Sequence, residues 1–332
     1  MSVLELTCAL SENDRTRAIL SGEIQPEAIK LKSTAMHPSE MFYRQLHHAE
    51  FDVSEMSISS FTIATSKGPT DWVGIPVFTA RRFFHTHVLI RTDRGIQKPA
   101  DLAGKKVGVP EYQQTAALWT RGVLRDEFGL QPSSMEWFME RNPDQSHGGA
   151  TGFDPAKMGI KLSYVPKETN LGEMLVAGKV DALMHYIAAQ NLVDRSTVDP
   201  LTDKNVRHLF DPPSSEAHRY YKKTGIYPIN HMMVVRRSIY EKHPWVVLNI
   251  FNAFRQAKEA LVPELDVLLE PYYAVGTIDA PARKALHTDV MPYGVASAKP
   301  VLESITRFVH EDGLTNRRVG LEELFAKQTL DL

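Results

Sequence analysis

Residues 101–129 read DLAGKKVGVPEYQQTAALWTRGVLRDEFG, and this succession of residue types decides the fold class. A turn leads into a short apolar strand at Lys106–Val109, a polar loop follows, and a helix opens near Thr115. Residues 110–115 therefore lie where a parallel strand hands over to a helix N-terminus. Unpaired backbone N–H groups and the helix dipole make that junction attractive to a carboxylate or another anion.

The flanking chain repeats the alternation. Strands are predicted at Leu4–Leu10, Ile29–Ala35 and residues 51–57, with helices at 15–21 and 38–49 between them. This βαβαβ order argues for a parallel sheet covered by helices, whose ligands bind beyond the carboxyl ends of the strands, here 11–15 and 57–60. Residues 72–76 and 84–91 are predicted extended, the second crossing to another lobe. That lobe holds the 101–129 stretch, strands near 135–139 and 161–165, a helix at 171–177 and a short buried strand at 181–185. Ile229–Arg236 carries the chain back, and 244–261 has the apolar spacing of an amphipathic helix. Further helices are predicted at 280–288, 299–310 and 321–327. The expectation is an α/β protein of two lobes, 1–88 plus 232–332 and 89–231. Crossing strands near 84–91 and 229–236 form its hinge, and the ligand cleft lies between the lobes.

Composition narrows the function classes. The 332 residues exceed one typical domain, and 43% hydrophobic with 23% charged content is ordinary for a globular protein. A net charge of −2 without a basic tract argues against nucleic-acid binding. Cys8 is the single cysteine, so no intrachain disulfide or cysteine-based zinc site can form, and its apolar strand favours an inert buried thiol. No run approaches the roughly twenty apolar residues of a membrane span. The start MSVLELTCALSENDRT lacks the basic and apolar regions of an export signal, which predicts a cytoplasmic location.

Candidate site residues follow from the strand ends. Arg15 is placed to clamp a carboxylate or else to be a surface charge, with Asp14 the preferred helix cap. Ser57, Ser59 and Ser60 offer hydroxyls to a ligand or tie off backbone. If residues 84–91 are extended, His85 and His87 share one face, where they ligate a metal, transfer protons, or merely add surface polarity. Tyr112 and Gln114 suit an aromatic ring and its oxygens; Thr115 caps the helix, contacts ligand, or both. His185 and Tyr186 end a strand of the second lobe. His231 lies on the return strand, which would bring it beside His85 under the cleft.

The segment 101–129 resembles the second-lobe entry of type II periplasmic-binding-protein folds, especially the thiamine-precursor and sulfonate-binding branch. More specific are Asn13-Asp14-Arg15-Thr16, FDVSEMSISSF (51–61), IPVFTARRFFHTHVLIRTD (75–93), TGIYPINH (224–231) and the ending VHEDGL…EELFA. Together they resemble the 4,5-dihydroxyphthalate decarboxylase family, cytoplasmic enzymes on the binding-protein fold, over nearly the whole chain. Two departures stand out: Phe84 occupies the arginine position of the family's FRH-type segment, and Asn230 replaces the methionine of its PIMH strand.

The resemblance implies non-oxidative loss of carbon dioxide from a hydroxylated, phthalate-like aromatic acid. A ring hydroxyl pushes electrons, and a general acid protonates the carbon bearing the leaving carboxylate. His85, His231 and His185 are the candidate proton-transfer residues. Arg15, Ser57, Ser59, Arg82, Tyr112, Gln114, Thr115, Tyr186 and Asn230 are the candidate substrate contacts. No flavin, pyridoxal or nicotinamide fingerprint is present, so a cofactor-free enzyme is expected, or one assisted by a divalent metal on His85, His87 and His231. The fold resemblance also suggests a homo-oligomer. The rival expectations are a binding protein that delivers a small anion to a transporter, and a dehydratase acting on chorismate.

Overall fold

A computed structural model describes residues 3–188 and 190–332. In chain order, β1 (Leu4–Leu10) leads to α1 (Asp14–Leu20), β2 (Ile29–Ala35), α2 (Pro38–His48), β3 (Val53–Ser57), α3 (Ile58–Ser66) and the long β4 (Trp72–Arg81). The next segment supplies β5 (Leu89–Arg91), β6 (Lys106–Val109), α4 (Thr115–Phe128), β7 (Glu136–Met139) and α5 (His147–Thr151). It continues through β8 (Lys161–Tyr164), α6 (Leu171–Val176), β9 (Ala182–Leu183), β10 (Val206–His208) and α7 (Pro213–Thr224). Then β11 (Ile229–Arg236) returns the chain to α8 (Arg237–Lys242), α9 (Val246–Glu259), α10 (Leu261–Ala274), α11 (Ala280–Leu286), α12 (Val295–Glu311) and α13 (Leu321–Leu324).

The strands form two mixed sheets, as an α/β two-lobed protein requires. The first has the order β2-β1-β3-β11-β4, and the second β10-β5-β9-β6-β7-β8. In the first, β1 runs parallel to β2 and β3, while β11 lies antiparallel between β3 and β4. In the second, β6 is parallel to β7 and β9. The β1 core residue Cys8 is buried, and burial pushes its thiol up to about 12.

The opening stretch does more than bridge a strand and a helix. Thr115 through Leu124 are all buried, because α4 serves both lobes. Its Trp119 and Val123 join the core of the first sheet, and its Ala117 and Leu124 join that of the second. The Trp119 indole donates to the carbonyl of Ile229 at 2.8 Å, fixing α4 to the root of β11. Gly122 is needed where α12 crosses: a Cβ there would sit 2.3 Å from the Phe308 ring.

Several local expectations change. Residues 84–91 are not one strand: Phe84–His87 is a 3₁₀ turn and only Leu89–Arg91 is extended. The cause lies in the partner strand. Pro228 has no N–H to continue the ladder, so pairing ends at Ile229–Arg81, and the Phe84 and Thr86 amides bond locally to Arg82 and Phe83. Asn13, not Asp14, caps α1, with Thr16 bonding back to it. Ser57 caps α3, and Gln114 rather than Thr115 holds the cap position of α4.

Candidate active site

A cavity of about 290 Å³ lies between the lobes, near the lower end of the usual size range for small-molecule sites. The first lobe contributes His37, Ser39 and Phe42 at the start of α2, Ser57, the β4 end Ala80–Arg82, and Asn230 and His231 on β11. Phe84 follows β4. The other wall carries Gln114, Thr115 and Ala116 at the start of α4, with Arg141, His147, His185 and Ile187. Among the described residues, this lining includes three arginines and four histidines and no carboxylate. The acids that balance it stand one layer behind.

Register explains the most ordered of these arrangements. His231 pairs across the sheet with Ser57, and Glu55 lies two residues along the same face of β3. The imidazole leans back to Glu55, with Nδ1 3.0 Å from Oε2. Glu55 is fully buried and also accepts the Ser11 amide at 2.8 Å and its hydroxyl at 2.7 Å. A hydrogen on Nδ1 would be donated to this carboxylate oxygen, which leaves Nε2 on the far side of the ring. There Asn230 Nδ2 lies 2.8 Å from Nε2, and Phe42 meets the ring edge-on with centroids 4.8 Å apart.

Arg141 sits at the opposite wall in a cage of acceptors. Its guanidinium reaches Glu111 at 2.8 Å, Asp194 at 2.6 Å and the Ser39 hydroxyl of the first lobe at 2.8 Å. Burial pushes the Asp194 carboxyl up, but Arg141, Asn191 and Ser39 together outweigh it and hold the group below its usual range. Burial likewise opposes Glu111, which His147, Arg141, the Ser146 hydroxyl and the Gly148 amide together hold below the usual range. His147, buried beside Glu111, is pushed down by desolvation. Arg141 therefore joins the lobes, and its charge is spent on Glu111 and Asp194.

Arg82 differs. It is exposed and has no acidic partner among the described residues, and its guanidinium meets His87 Nδ1 at 3.4 Å. Burial and then Arg82 push His87 down to about 4, so this contact is to a neutral ring. Arg81 donates to the carbonyls of Tyr227 and Pro292, and burial pulls it down to about 10. His185 adopts φ 63°, a left-handed conformation that aims its ring at the cavity. Burial and then Arg82 push it down to about 3, so the ring is neutral near pH 7.

The structure gathers seven of the sequence candidates around the cavity: Ser57, Arg82, Gln114, Thr115, His185, Asn230 and His231. Others lie elsewhere, each for a physical reason. His85 turns away on the 3₁₀ segment and meets Glu216 of α7 at 3.3 Å, leaving Phe84 to line the cavity. His85 and His231 do not converge, and His85, His87 and His231 do not share one metal site. Among the described residues, no three histidine, cysteine or acidic side chains are placed to hold a metal ion.

Arg15 reaches the carbonyl of Thr79 at 3.1 Å and lines a separate groove with Tyr293. Ser59 is buried at the lobe junction, where its hydroxyl donates to the Gln113 carbonyl and meets Thr115 Oγ1 at 2.9 Å. Tyr112 is a core residue, stacked under Arg121, whose guanidinium lies 3.7 Å from its ring centre. Tyr186 packs on Gly172 and donates to the Val198 carbonyl. The sequence pattern assigns no role to Glu55, Glu111, Arg141 or His147. Glu55 was the detectable one, a lone acid in the buried strand VSEMS.

Together, the two mixed sheets and the cavity between them make an α/β protein of the two-lobed binding-protein fold. The aliphatic sulphonate binding protein SsuA from Escherichia coli superimposes with a TM-score of 0.56 at 14% identity, covering 99% of both chains. The desulfurization enzyme DszB superimposes with a TM-score of 0.53 at 16% identity, covering 98% of this chain and 97% of its own. No family profile matches the chain. A 4,5-dihydroxyphthalate decarboxylase of Comamonas testosteroni is 30% identical over 334 residues, covering 100% of this chain and 99% of the relative. A second, from Pseudomonas putida, is 35% identical over 190 residues, covering 55% of this chain and 71% of the relative. The chain belongs to the 4,5-dihydroxyphthalate decarboxylase family.

Proposed function

We propose that the cavity removes one carboxylate from a hydroxylated, phthalate-like aromatic acid, with His231 as the proton donor. The observation that carries this reading is the buried Glu55 meeting Nδ1 of His231, whose ring lines an acid-free cavity. Such a ring takes a proton at Nε2 and is stabilised as imidazolium by the carboxylate behind it. Nε2 then donates to the ring carbon bearing the leaving carboxylate. A hydroxyl para to that carbon supplies electron density, the carbon–carbon bond breaks, and its electron pair restores aromaticity. The balance is one proton in and one carbon dioxide out, with no change of oxidation state, so the step calls for no redox cofactor.

The remaining carboxylate needs an anchor that does not neutralise the leaving one. Arg82, free of acidic partners, and the first-turn N–H groups of α4 supply it. Neutral His185 and Gln114 offer hydrogen bonds to the ring oxygens, and Phe42 and Phe84 confine the ring. A cytoplasmic location accords with this reading, since an aromatic acid is broken down where its products are used.

The test incubates pure protein with 4,5-dihydroxyphthalate, related hydroxybenzoates and chorismate, following carbon dioxide and product by chromatography. Carbon dioxide from a hydroxylated phthalate is the expected result, with turnover lost and ligand binding kept in His231→Ala. A protein that binds these acids without turning any over is a binding protein, and water loss from chorismate would make it a dehydratase.

A further inference from the structure

His147 is a buried imidazole to which the steps above give no task. It is the first residue of α5 and is 2% exposed, yet it lines the cavity on the second-lobe wall. Both ring nitrogens are buried and neither has a hydrogen-bond partner of good geometry, a state that folds rarely keep without a reason. Glu111 Oε2 stands 3.6 Å from Nδ1, and the Ser39 backbone also approaches the ring. The neighbours on either side hold the ring in place, because the Ser146 hydroxyl and the Gly148 amide both donate to Glu111 Oε1. The cavity thus carries two histidine–glutamate pairs, His231 with Glu55 from the first lobe and His147 with Glu111 from the second. Both imidazoles meet the Phe42 ring edge-on, with centroids 4.8 Å and 5.7 Å away.

Given the decarboxylation proposed above, we propose that His147 is the base that takes the proton of the ring hydroxyl para to the leaving carboxylate. That oxygen and the carbon to be protonated lie at opposite edges of one aromatic ring, and the two pairs come from opposite walls of one cavity. The surrounding charges suit the role: Glu111 and Asp194 favour the protonated ring, while burial and Arg141 oppose it. In the resting protein burial prevails and the ring is neutral near pH 7, so it has a lone pair to offer. The hydroxyl O–H bond breaks as its proton passes to His147, and the oxygen's electron pair moves into the ring. His231 protonates the carbon, and carbon dioxide leaves. The electron pair of the broken bond regenerates the phenolate, which takes its proton back from His147. The balance stays at one proton in and one carbon dioxide out. The imidazolium formed in passing faces Glu111, as that of His231 faces Glu55.

The test uses 4-nitrocatechol, whose nitro group has the planar shape of the leaving carboxylate and whose para hydroxyl changes its visible absorption on losing its proton. At a pH below its midpoint in water, the wild type is expected to hold the probe as the coloured anion and His147→Gln to hold it in the neutral form. In that variant kcat on the hydroxylated phthalate is expected to fall about 10²- to 10⁴-fold, with KM and melting temperature near those of the wild type. A wild type that gives no ionised probe, a variant that still ionises it, or a variant with wild-type kcat overturns the proposal. If the variant fails to fold, histidine nitrogen NMR of His231→Ala decides: the probe must convert a neutral histidine to imidazolium, and no new imidazolium overturns the assignment. The probe does not turn over, so its spectrum is read independently of decarboxylation. Ionised probe without carbon dioxide from any acid refutes the decarboxylase reading, whereas carbon dioxide without ionised probe refutes the role of His147.

Discussion

Replacing Glu55 by glutamine tests the proton-donor assignment at the atom that carries it. The change keeps shape and leaves Oε1 to accept from Ser11, so the β1–β3 connection survives. What changes is the partner of His231 Nδ1, now 3.0 Å from the group. A glutamine amide turned toward Nδ1 donates rather than accepts, which favours the ring with no hydrogen there and opposes the doubly protonated form. The loss is one buried hydrogen bond to a charged group, about 1.5–3 kcal/mol. Placed wholly on the protonated state that donates, this is about a 10- to 150-fold fall in kcat. Steady-state decarboxylation at pH 7 measures it, with KM and melting temperature as controls. KM is expected to stay within about twofold, because Glu55 does not line the cavity. A variant with wild-type kcat at pH 7 would refute the role of the Glu55–His231 pair.

Other perturbations read other layers. Thr115→Val removes the hydroxyl that meets Ser57 at 2.9 Å and accepts the Ser59 amide at 3.1 Å. One buried donor left unpaired costs ~1–3 kcal/mol, seen as a lower urea midpoint with an unchanged slope. Gly122→Ala forces Phe308 away from α4 and costs a further ~1–3 kcal/mol by the same measurement, with kcat preserved. His185 titrates near 6.5 in the unfolded chain and at about 3 in the folded one. Between those values the unfolded state binds more protons, so stability falls as pH falls, by at most ~1.4 kcal/mol per pH unit. His185→Asn should flatten that loss between pH 6.5 and 4.5, and equal slopes in both proteins would exclude it.

The fold was legible wherever a local pattern decides it. β1, β2, β6 and β11 fall at the expected residues, because apolar runs bounded by turn signals are local information. Residues 84–91 failed because their conformation depends on Pro228, far along the chain, ending the ladder. Residues 57–60 read from sequence only as the end of a strand, yet Ser57 is the cap of α3. The site divides in the same way. Ser57 at the end of β3, Thr115 at the start of α4 and His231 near the start of β11 could be placed on the cavity from topology alone. Arg141 and Glu111 could not, since their meeting with Asp194 and Ser39 depends on long-range packing that no spacing encodes. Arg15 and Tyr112 misled because polarity beside a strand end does not reveal which way a side chain turns.

Cys8 has a consequence for experiment. Its thiol is 1% exposed and far from ionised at neutral pH, and it is the chain's single cysteine. The native protein is in effect a chemical blank toward maleimides and methanethiosulfonates. Two introduced cysteines, at exposed Lys30 on β2 and Lys161 on β8, would be its only reactive thiols. Spin labels attached there would report the separation of the lobes with and without an aromatic acid, with the core left as nature built it.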